Sequence, residues 1–368
     1  VEEADDALFF QTRGALNYRE GLTIAVAWDP GAVARPSALD HVLRFLRANW
    51  LLLFPFVSLW GMWRLWAHRG RDPARLSITA HYEPPDGMTP AEAGTLLDNR
   101  PDMRDITAAL VHLAVRGFLR IEEVEDDGLL SRWVGKADYL LVPVKPREAW
   151  IELKSHEQKI LSGVFGIAGA PVPTRMSDLE HEFYQSLPEV KSRIFGELIQ
   201  RGYYLRRPDK VREIYMGVGF AVLALGLAGG LPLAGALQIS PLTAGLAAVG
   251  TALPVLLFGF FMPARTERGT RALERVLGFE EFLDRVESDR YRRMVTSPQM
   301  FERFLPYAMA FGVEKKWAAA FDGIYEQPPN WYSGRWDGGF RPSIFVHDMG
   351  RMSTAASTAM ASAPRSSG

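Results

Sequence analysis

The largest feature in the pattern of apolar and charged positions is a run without charge: between Glu213 and Arg265 no residue is ionised. Soluble core helices rarely need such a run, whereas two spans of about 20 residues, each crossing roughly 30 Å of hydrocarbon, fit it. The turn falls naturally at Gln238, Ile239, Ser240 and Pro241. A helical hairpin over 214–262 is therefore predicted, with spans at 214–237 and 242–262. A third apolar stretch, residues 48–63, has only 16 uncharged residues. Arg44, Arg47 and Arg64 flank it in positions to snorkel, and Trp50, Trp60, Trp63 and Trp66 read as interfacial belts. Pro55 is tolerable in a membrane helix. We read a span over 41–66, with a helix lying in the interface as the alternative.

Charge near the ends orients these spans. Arg206, Arg207, Lys210 and Arg212 precede the hairpin, Arg265, Arg268 and Arg271 follow it, and its loop has no Lys or Arg. Both hairpin ends are expected in the cytoplasm, with the N-terminus outside. Arg64, Arg207, Lys210, Arg265 and Arg268 become candidate membrane-interface anchors beside the four tryptophans. Gly226 and Gly230 stand at GxxxG spacing, and Ala244 and Ala248 at the same interval, which we read as packing within the hairpin. An ion or proton path would require ionisable groups inside the hairpin, so transport is not expected.

The remainder alternates between helical and strand periods. Residues 1–40 read as the end of an extracytoplasmic β domain, with Leu22–Trp28 the clearest strand pattern, and the start at Val1 reads as a processed or truncated chain. In 72–150, Thr89, Pro90 and Glu92 open a helix as cap, first and third positions. A second helix follows with Ile106, Leu110, Leu113 and Ala114 on one face, ends at Gly117, and leads into two strands. Helix, helix, strand, strand is a winged-helix order. Residues 151–212 read as a weaker copy, with Arg201-Gly202-Tyr203 matching Arg116-Gly117-Phe118. Residues 265–325 read as two helices broken near 296–299, and 326–368 as a flexible tail ending in low-complexity Ser and Ala. The fold class predicted is a mainly α membrane protein: one single span, a hairpin, and an α+β cytoplasmic region of tandem winged-helix-like modules.

Composition narrows the chemistry. The 368 residues carry a net charge of −1, so nothing global points to nucleic acid. The absence of Cys excludes thiol catalysis, disulfides and thiolate metal sites. Histidines 41, 68, 81, 112, 156, 181 and 347 form no HxxxH or HExxH pair, and no nucleophile elbow or phosphate loop is present. His112 reads as a packed helix residue and His181, beside Glu180 and Glu182, as solvated. The acidic run 123–127 lacks the calcium-loop spacing. We assign no catalytic residue, cofactor, metal or small-molecule substrate.

Residues 301–321, "FERFLPYAMAFGVEKKWAAAF", pose a choice between a site and a packing face. On one helix from about Met300, the residues Leu305, Ala308, Met309, Gly312, Val313, Trp317, Ala320 and Phe321 form one stripe, while Glu314, Lys315 and Ala318 face away. Pro306 predicts a kink or a helix start nearby. Leu305, Met309, Val313, Trp317 and Phe321 are thus a candidate packing or interaction face, expected to dock on the winged-helix-like modules. Trp331, Tyr332 and Trp336 are candidate interaction residues in the tail.

In order, "YEPPDGMTPAEAG" (82–94), "AALVHLAVRGFLRIEE" (108–123), the hairpin, residues 301–321 and "PPNWY" (328–332) make the chain resemble the bacterial predicted membrane proteins grouped as domain of unknown function 2207. The resemblance implies an extracytoplasmic β domain, a span, a cytoplasmic part, a hairpin and a Gly/Ser-rich tail, here with Ala and Ser and few Gly. It implies no catalytic residue, because the role of that family is unassigned. Bilayer lipid and other membrane proteins are the expected partners, and nucleic acid is not. The expected role is a non-enzymatic scaffold or accessory subunit of a larger inner-membrane complex. The alternative is a membrane-tethered regulator binding nucleic acid.

Overall fold

A computed structural model describes residues 2–4, 7–10, 12, 14–17, 21–27, 29, 31, 37–125, 137–237, 239–286, 297–334 and 339–363. Strands β1 (Glu2–Ala4) and β2 (Ala7–Phe9) form a small antiparallel ribbon. The strand expected at residues 22–28 is not formed over 22–27, where Leu22, Ile24 and Val26 are exposed; Trp28 lies outside the described residues. A strand without a neighbour to satisfy its backbone has little to hold it.

Helix α1 (Ala38–Ala48) starts at a capping box between Ser37 and Asp40 and stops at Asn49, whose φ of −125° leaves the helical region. The Asn49 amide donates back to the Phe45 carbonyl at 2.9 Å and closes the end. A short 3₁₀ turn (Trp50–Leu52) then leads into α2 (Leu53–Leu65), which continues as a π turn over Trp66–Gly70. The single helix read over 41–66 is therefore two helices, and the apolar segment is 50–70.

In the soluble part, α3 (Pro90–Asp98) has the expected cap at Thr89, and α4 (Met103–Val115) follows from a second capping box at Asp102. Strands β3 (Leu119–Glu125) and β4 (Ala137–Pro143) pair antiparallel with Ile121 opposite Leu141. Helix α5 (Ser155–Phe165), strand β5 (Thr174–Arg175) and α6 (Leu187–Gln200) come next. The two helix endings that look alike in sequence are alike in structure. Gly117 (φ 72°) and Gly202 (φ 73°) are left-handed, and Phe118 N–H and Tyr203 N–H donate to the Leu113 and Leu198 carbonyls, each at 2.9 Å. A left-handed residue there favours glycine. The likeness stops there. Phe118 enters a hairpin, while after Tyr203 there is one bridge, Tyr204 with Arg265. Residues 151–212 are not a second copy of the helix-helix-hairpin unit.

Helices α7 (Pro208–Ala236) and α8 (Pro241–Phe261) form the hairpin. With the 50–70 segment they are three helices long and apolar enough to cross a membrane. The central one is α8, antiparallel to α7 and parallel to α2. A Cβ on Gly226 would lie 2.7 Å from the Ala248 Cβ, so the two backbones meet at this glycine, whereas Gly230 faces open space. Across the other seam the Ser58 hydroxyl donates to the Thr251 carbonyl at 2.7 Å. Close approach of this kind lets dispersion forces hold helices where lipid removes the hydrophobic drive.

The chain returns to the soluble part in α9 (Glu267–Asp284), α10 (Pro298–Phe311), α11 (Glu314–Ala319), strand β6 (Tyr332–Ser333) and α12 (Pro342–Ala361). The sheet order is β5-β4-β3-β6, with β6 parallel to β3. One apolar core, running from Met88 to Met360, draws on all these helices. The divisions expected at 150, 212 and 325 are not borders of separate cores. The tail is also not loose over its described part. In α12, Phe345, Met349, Met352, Ala356 and Met360 are buried on one face, while the Thr354 and Thr358 hydroxyls bond back to carbonyls four residues earlier. An Ala-rich segment has high helix propensity, and Met at helical spacing supplies the core face that low complexity conceals.

Bundle and core are bolted together at Arg265. Its guanidinium, 6% exposed, pairs with the Asp72 carboxylate at 2.7 Å and donates to the carbonyls of Leu96 (2.7 Å) and Leu97 (3.1 Å). Its backbone N–H bonds the same carboxylate at 2.7 Å. The reading of Arg265 as a membrane-interface anchor is corrected: it is buried, an internal staple joining the exits of two spans to the end of α3. Arg265→Ala leaves the partly exposed Asp72 carboxylate and the carbonyls of Leu96 and Leu97 without their donor, and a loss of roughly 2–3 kcal/mol is expected. Thermal melts in detergent should show it, with Arg265→Lys also below wild type because it keeps the charge without the fork.

Candidate functional site

The densest set of buried polar groups lies where α3 and α5 begin. In both helices a Glu in the third position turns back to cap the helix start. Glu92 accepts from the Thr89 N–H at 3.0 Å, and Glu157 from the Lys154 N–H at 3.0 Å. Both carboxylates are fully buried. The Lys154 ammonium crosses from the start of α5 to Glu92, at 2.7 and 2.8 Å from its two oxygens, and also donates to the Gly87 carbonyl at 2.9 Å. Arg116, from the end of α4, reaches Glu157 at 3.3 Å, with His112 Nε2 at 3.7 Å from the same carboxylate. His156 Nε2 lies 3.0 Å from the Thr89 hydroxyl. Tyr307, from α10, donates to the Met88 carbonyl at 2.6 Å and closes the far side.

Burial sets the protonation of this cluster. It pushes the Glu157 carboxyl up, against the Lys154 N–H and the Arg116 charge that draw it down. It lowers His156 to about 3, with the Lys154 charge adding to the effect. His112 falls to about 3 by burial and the charges of Arg116 and Lys154. Both imidazoles are neutral at physiological pH and fall short of the value near neutrality that suits proton transfer. Asp105, buried on α4 and bonded by the Asp102 N–H at 3.0 Å, is likewise driven well above the usual carboxylate range by burial. Among the described residues no group of His, Asp and Glu is arranged to hold a metal ion. The cluster clamps two helix starts together, and most of its donors and acceptors are spent on one another, while His156 Nδ1 and Asp105 Oδ1 are buried without a hydrogen-bond partner.

The residues singled out in the sequence do not converge on it. Trp50, Trp60 and Trp63 are exposed on the outside of the bundle, while Trp66 is partly buried and meets the Phe258 ring at 6.3 Å. Arg64 lies over the Trp60 ring at 5.5 Å. Arg207 turns to Asp209 at 2.6 Å, Lys210 pairs with Glu213 at 2.6 Å, and Arg268 is exposed. Leu305, Met309, Trp317 and Phe321 are buried in the shared core, and Val313 is partly buried. Trp317 packs on Phe282 (5.9 Å) and Phe304 (5.8 Å) and donates to the Phe301 carbonyl at 3.2 Å. The single helix expected here breaks at Gly312, left-handed at φ 75°. The break turns α11, so Ala318, expected outside, is buried. Pro306 neither starts nor ends α10, but sits buried within it. Trp331 donates to Glu302 at 2.7 Å, and Tyr332 is buried in β6; Trp336 lies outside the described residues. His181 is exposed, as is the acidic residue Glu180 beside it.

Glu92 was visible as a cap, but its pairing with Lys154 was not. The sequence 154–157, "KSHE", has the same Glu three residues after a helix boundary, and that was the only local signal.

The family model for the C-terminal domain of predicted membrane proteins with domain of unknown function 2207 matches residues 78–321. The chain belongs to this family. No curated protein and no solved structure matches it. The matched domain-2207 segment starts after the first apolar segment and includes the hairpin, the buried cluster and α10, so membrane helices and polar clamp are parts of one family unit.

Lys154→Met leaves Glu92 buried with only Arg201 nearby at 4.0 Å, and a loss of roughly 3–5 kcal/mol is expected. The double variant Lys154→Met/Glu92→Gln should recover part of it, and a double-mutant cycle on denaturation midpoints measures the coupling. For His156, the unfolded state takes up the proton first as pH falls below about 6.5. The folded state holds the neutral ring until about 3. Stability therefore drops across that window, and wild type should lose about 2 kcal/mol relative to His156→Gln between about pH 7.5 and about pH 5. Parallel denaturation of the two proteins at each pH checks this.

Proposed function

We propose that the protein is a non-enzymatic scaffold or accessory subunit of a larger bacterial inner-membrane assembly, with its soluble core in the cytoplasm. Lys and Arg near the core-side ends support that orientation: Arg69, Arg71 and Arg75 after the first apolar segment, with those flanking the hairpin. The observation that carries the scaffold reading is a set of exposed apolar side chains on the ordered segments before and after α5. Val144, Ile151, Ile167 and Val172 are 58, 86, 81 and 60% exposed. They stand on two neighbouring loops tied together by Arg147, which donates to the carbonyls of Gly169 (2.6 Å), Gly166 (2.9 Å) and Phe165 (3.2 Å).

Ile167 and Val172, which follow α5, stand at the end away from the bundle, whereas Val144 and Ile151 precede its start. Ser155 bonds Glu197 and Lys159 bonds Glu189, so α5 and α6 are antiparallel. The end of α6 leads to the hairpin, so α5 starts near the membrane and carries its C-terminal end about 15 Å outward. Branched aliphatic side chains held open to water, with Ile167 and Val172 on the side away from lipid, fit a protein partner.

The nucleic-acid reading has the helix-helix-hairpin order of α3, α4, β3 and β4 in its favour. It would need α4 free to enter a groove, but Ile106–Val111, Leu113 and Ala114 are all buried, which favours protein contact. In mild detergent, the protein taken from its native membrane should carry a second protein in fixed ratio, and Ile151→Asp/Ile167→Asp should lose it while remaining folded. A lone monomer overturns the reading, and a salt-sensitive shift with duplex DNA would favour the alternative.

A further inference from the structure

We propose that α1 is an interfacial helix lying on the bilayer leaflet opposite the soluble core, its apolar face in lipid. No residue of α1 is buried. At 100° per residue its side chains separate into two faces. Phe45, Val42, Leu46, Leu39 and Leu43 cover one side, and Arg47, Asp40, Arg44 and His41 the other. Leu39, Val42, Leu43, Phe45 and Leu46 are all exposed. Eleven residues make about 16 Å, too short to cross the hydrocarbon.

Lipid is the occupant because of where the helix is attached. One residue, Asn49, separates α1 from the apolar segment. The Thr243 hydroxyl, in the first turn of α8, donates to the Asn49 side-chain carbonyl at 3.1 Å. Around that level Ala234, Ile239 and Ala244 close the hairpin end, with Leu51 packed on them. The junction is thus fixed where the bundle ends, at the bilayer surface, and at the end remote from Arg265. An amphipathic helix starting at that depth meets acyl chains with its apolar side. Arg44 and Arg47 then face phosphate headgroups, leaving a net positive polar face against Asp40.

The absence of Cys from these 368 residues permits single-site labelling of this chain in vesicles of phosphatidylcholine and phosphatidylglycerol. Nitroxides at Leu39→Cys, Leu43→Cys and Leu46→Cys should show an oxygen-to-nickel-chelate accessibility ratio several-fold above those at Asp40→Cys, Arg44→Cys and Arg47→Cys. Leu257→Cys, on the exposed side of α8, reports that the spans are correctly inserted and sets the lipid reference. Equal water access on both faces overturns the proposal. So does an apolar face closed to both oxygen and chelate, since protein would then cover it.

Discussion

The membrane part and the soluble part meet around one buried cation. Arg265 leaves α8 at the point where the hydrocarbon ends, and its fork meets the Asp72 carboxylate and the carbonyls of Leu96 and Leu97. Burying a guanidinium is costly unless its donors are met. Here the acceptors are the last carbonyls of α3 and the first acidic residue after the first apolar segment. Three elements distant in sequence must therefore arrive together before the charge is satisfied. Lysine would carry the charge but lack the planar set of donors that reaches a carboxylate on one side and two carbonyls on the other.

Above that staple, the same logic is repeated at the helix starts. Lys154 and Arg116 neutralise two caps that would otherwise be isolated carboxylates in an apolar core. Tyr307 brings α10 to the same place through the Met88 carbonyl. The segments 82–94, 108–123 and 301–321, far apart in the chain, are adjacent in space around this clamp. Aromatic packing then carries the core outward. Phe279 meets Phe304 and Tyr307 at 5.2 and 5.6 Å, Trp317 meets Phe321 at 4.8 Å, and Phe345 of α12 closes on Tyr332 at 5.2 Å. Phe345 and Tyr332 belong to the stretch whose composition looked like a loose tail.

What the sequence made legible follows from how local each signal is. The charge-free run, the Thr89 cap and the left-handed glycines at 117 and 202 depend on neighbours in the chain, and each was readable. The break at Asn49 was not, because apolar residues on one face of α1 merge with the span behind it when only hydropathy is read. Glu92 with Lys154, and Arg265 with Asp72, are pairs across 62 and 193 residues. No spacing rule connects them, so Lys154 went unnoticed and Arg265 was placed at the membrane interface. The Ala and Ser of α12 misled for another reason. Low complexity is a property of composition, whereas Met349, Met352, Ala356 and Met360 bury one face by position.

The bundle is held by close fit between its own helices. In lipid there is no apolar surface to hide from water, so helices associate through close fit and a few interhelical hydrogen bonds. Helix α8 satisfies that on two sides at once. Ala244, Ala248 and Ala252 are buried, and Ala248 meets Gly226 of α7. Gly250 abuts Pro55, and Thr251 accepts from Ser58, both of the first segment. Gly226, Gly250 and Ala248 are thus used inside the molecule, while Gly217, Gly229, Gly230 and Gly245 face open space, and the outward faces carry Leu225, Leu253, Leu257, Phe260 and Trp60, which suit acyl chains. The bundle is thus packed on two sides of α8 and joined to the core at Arg265.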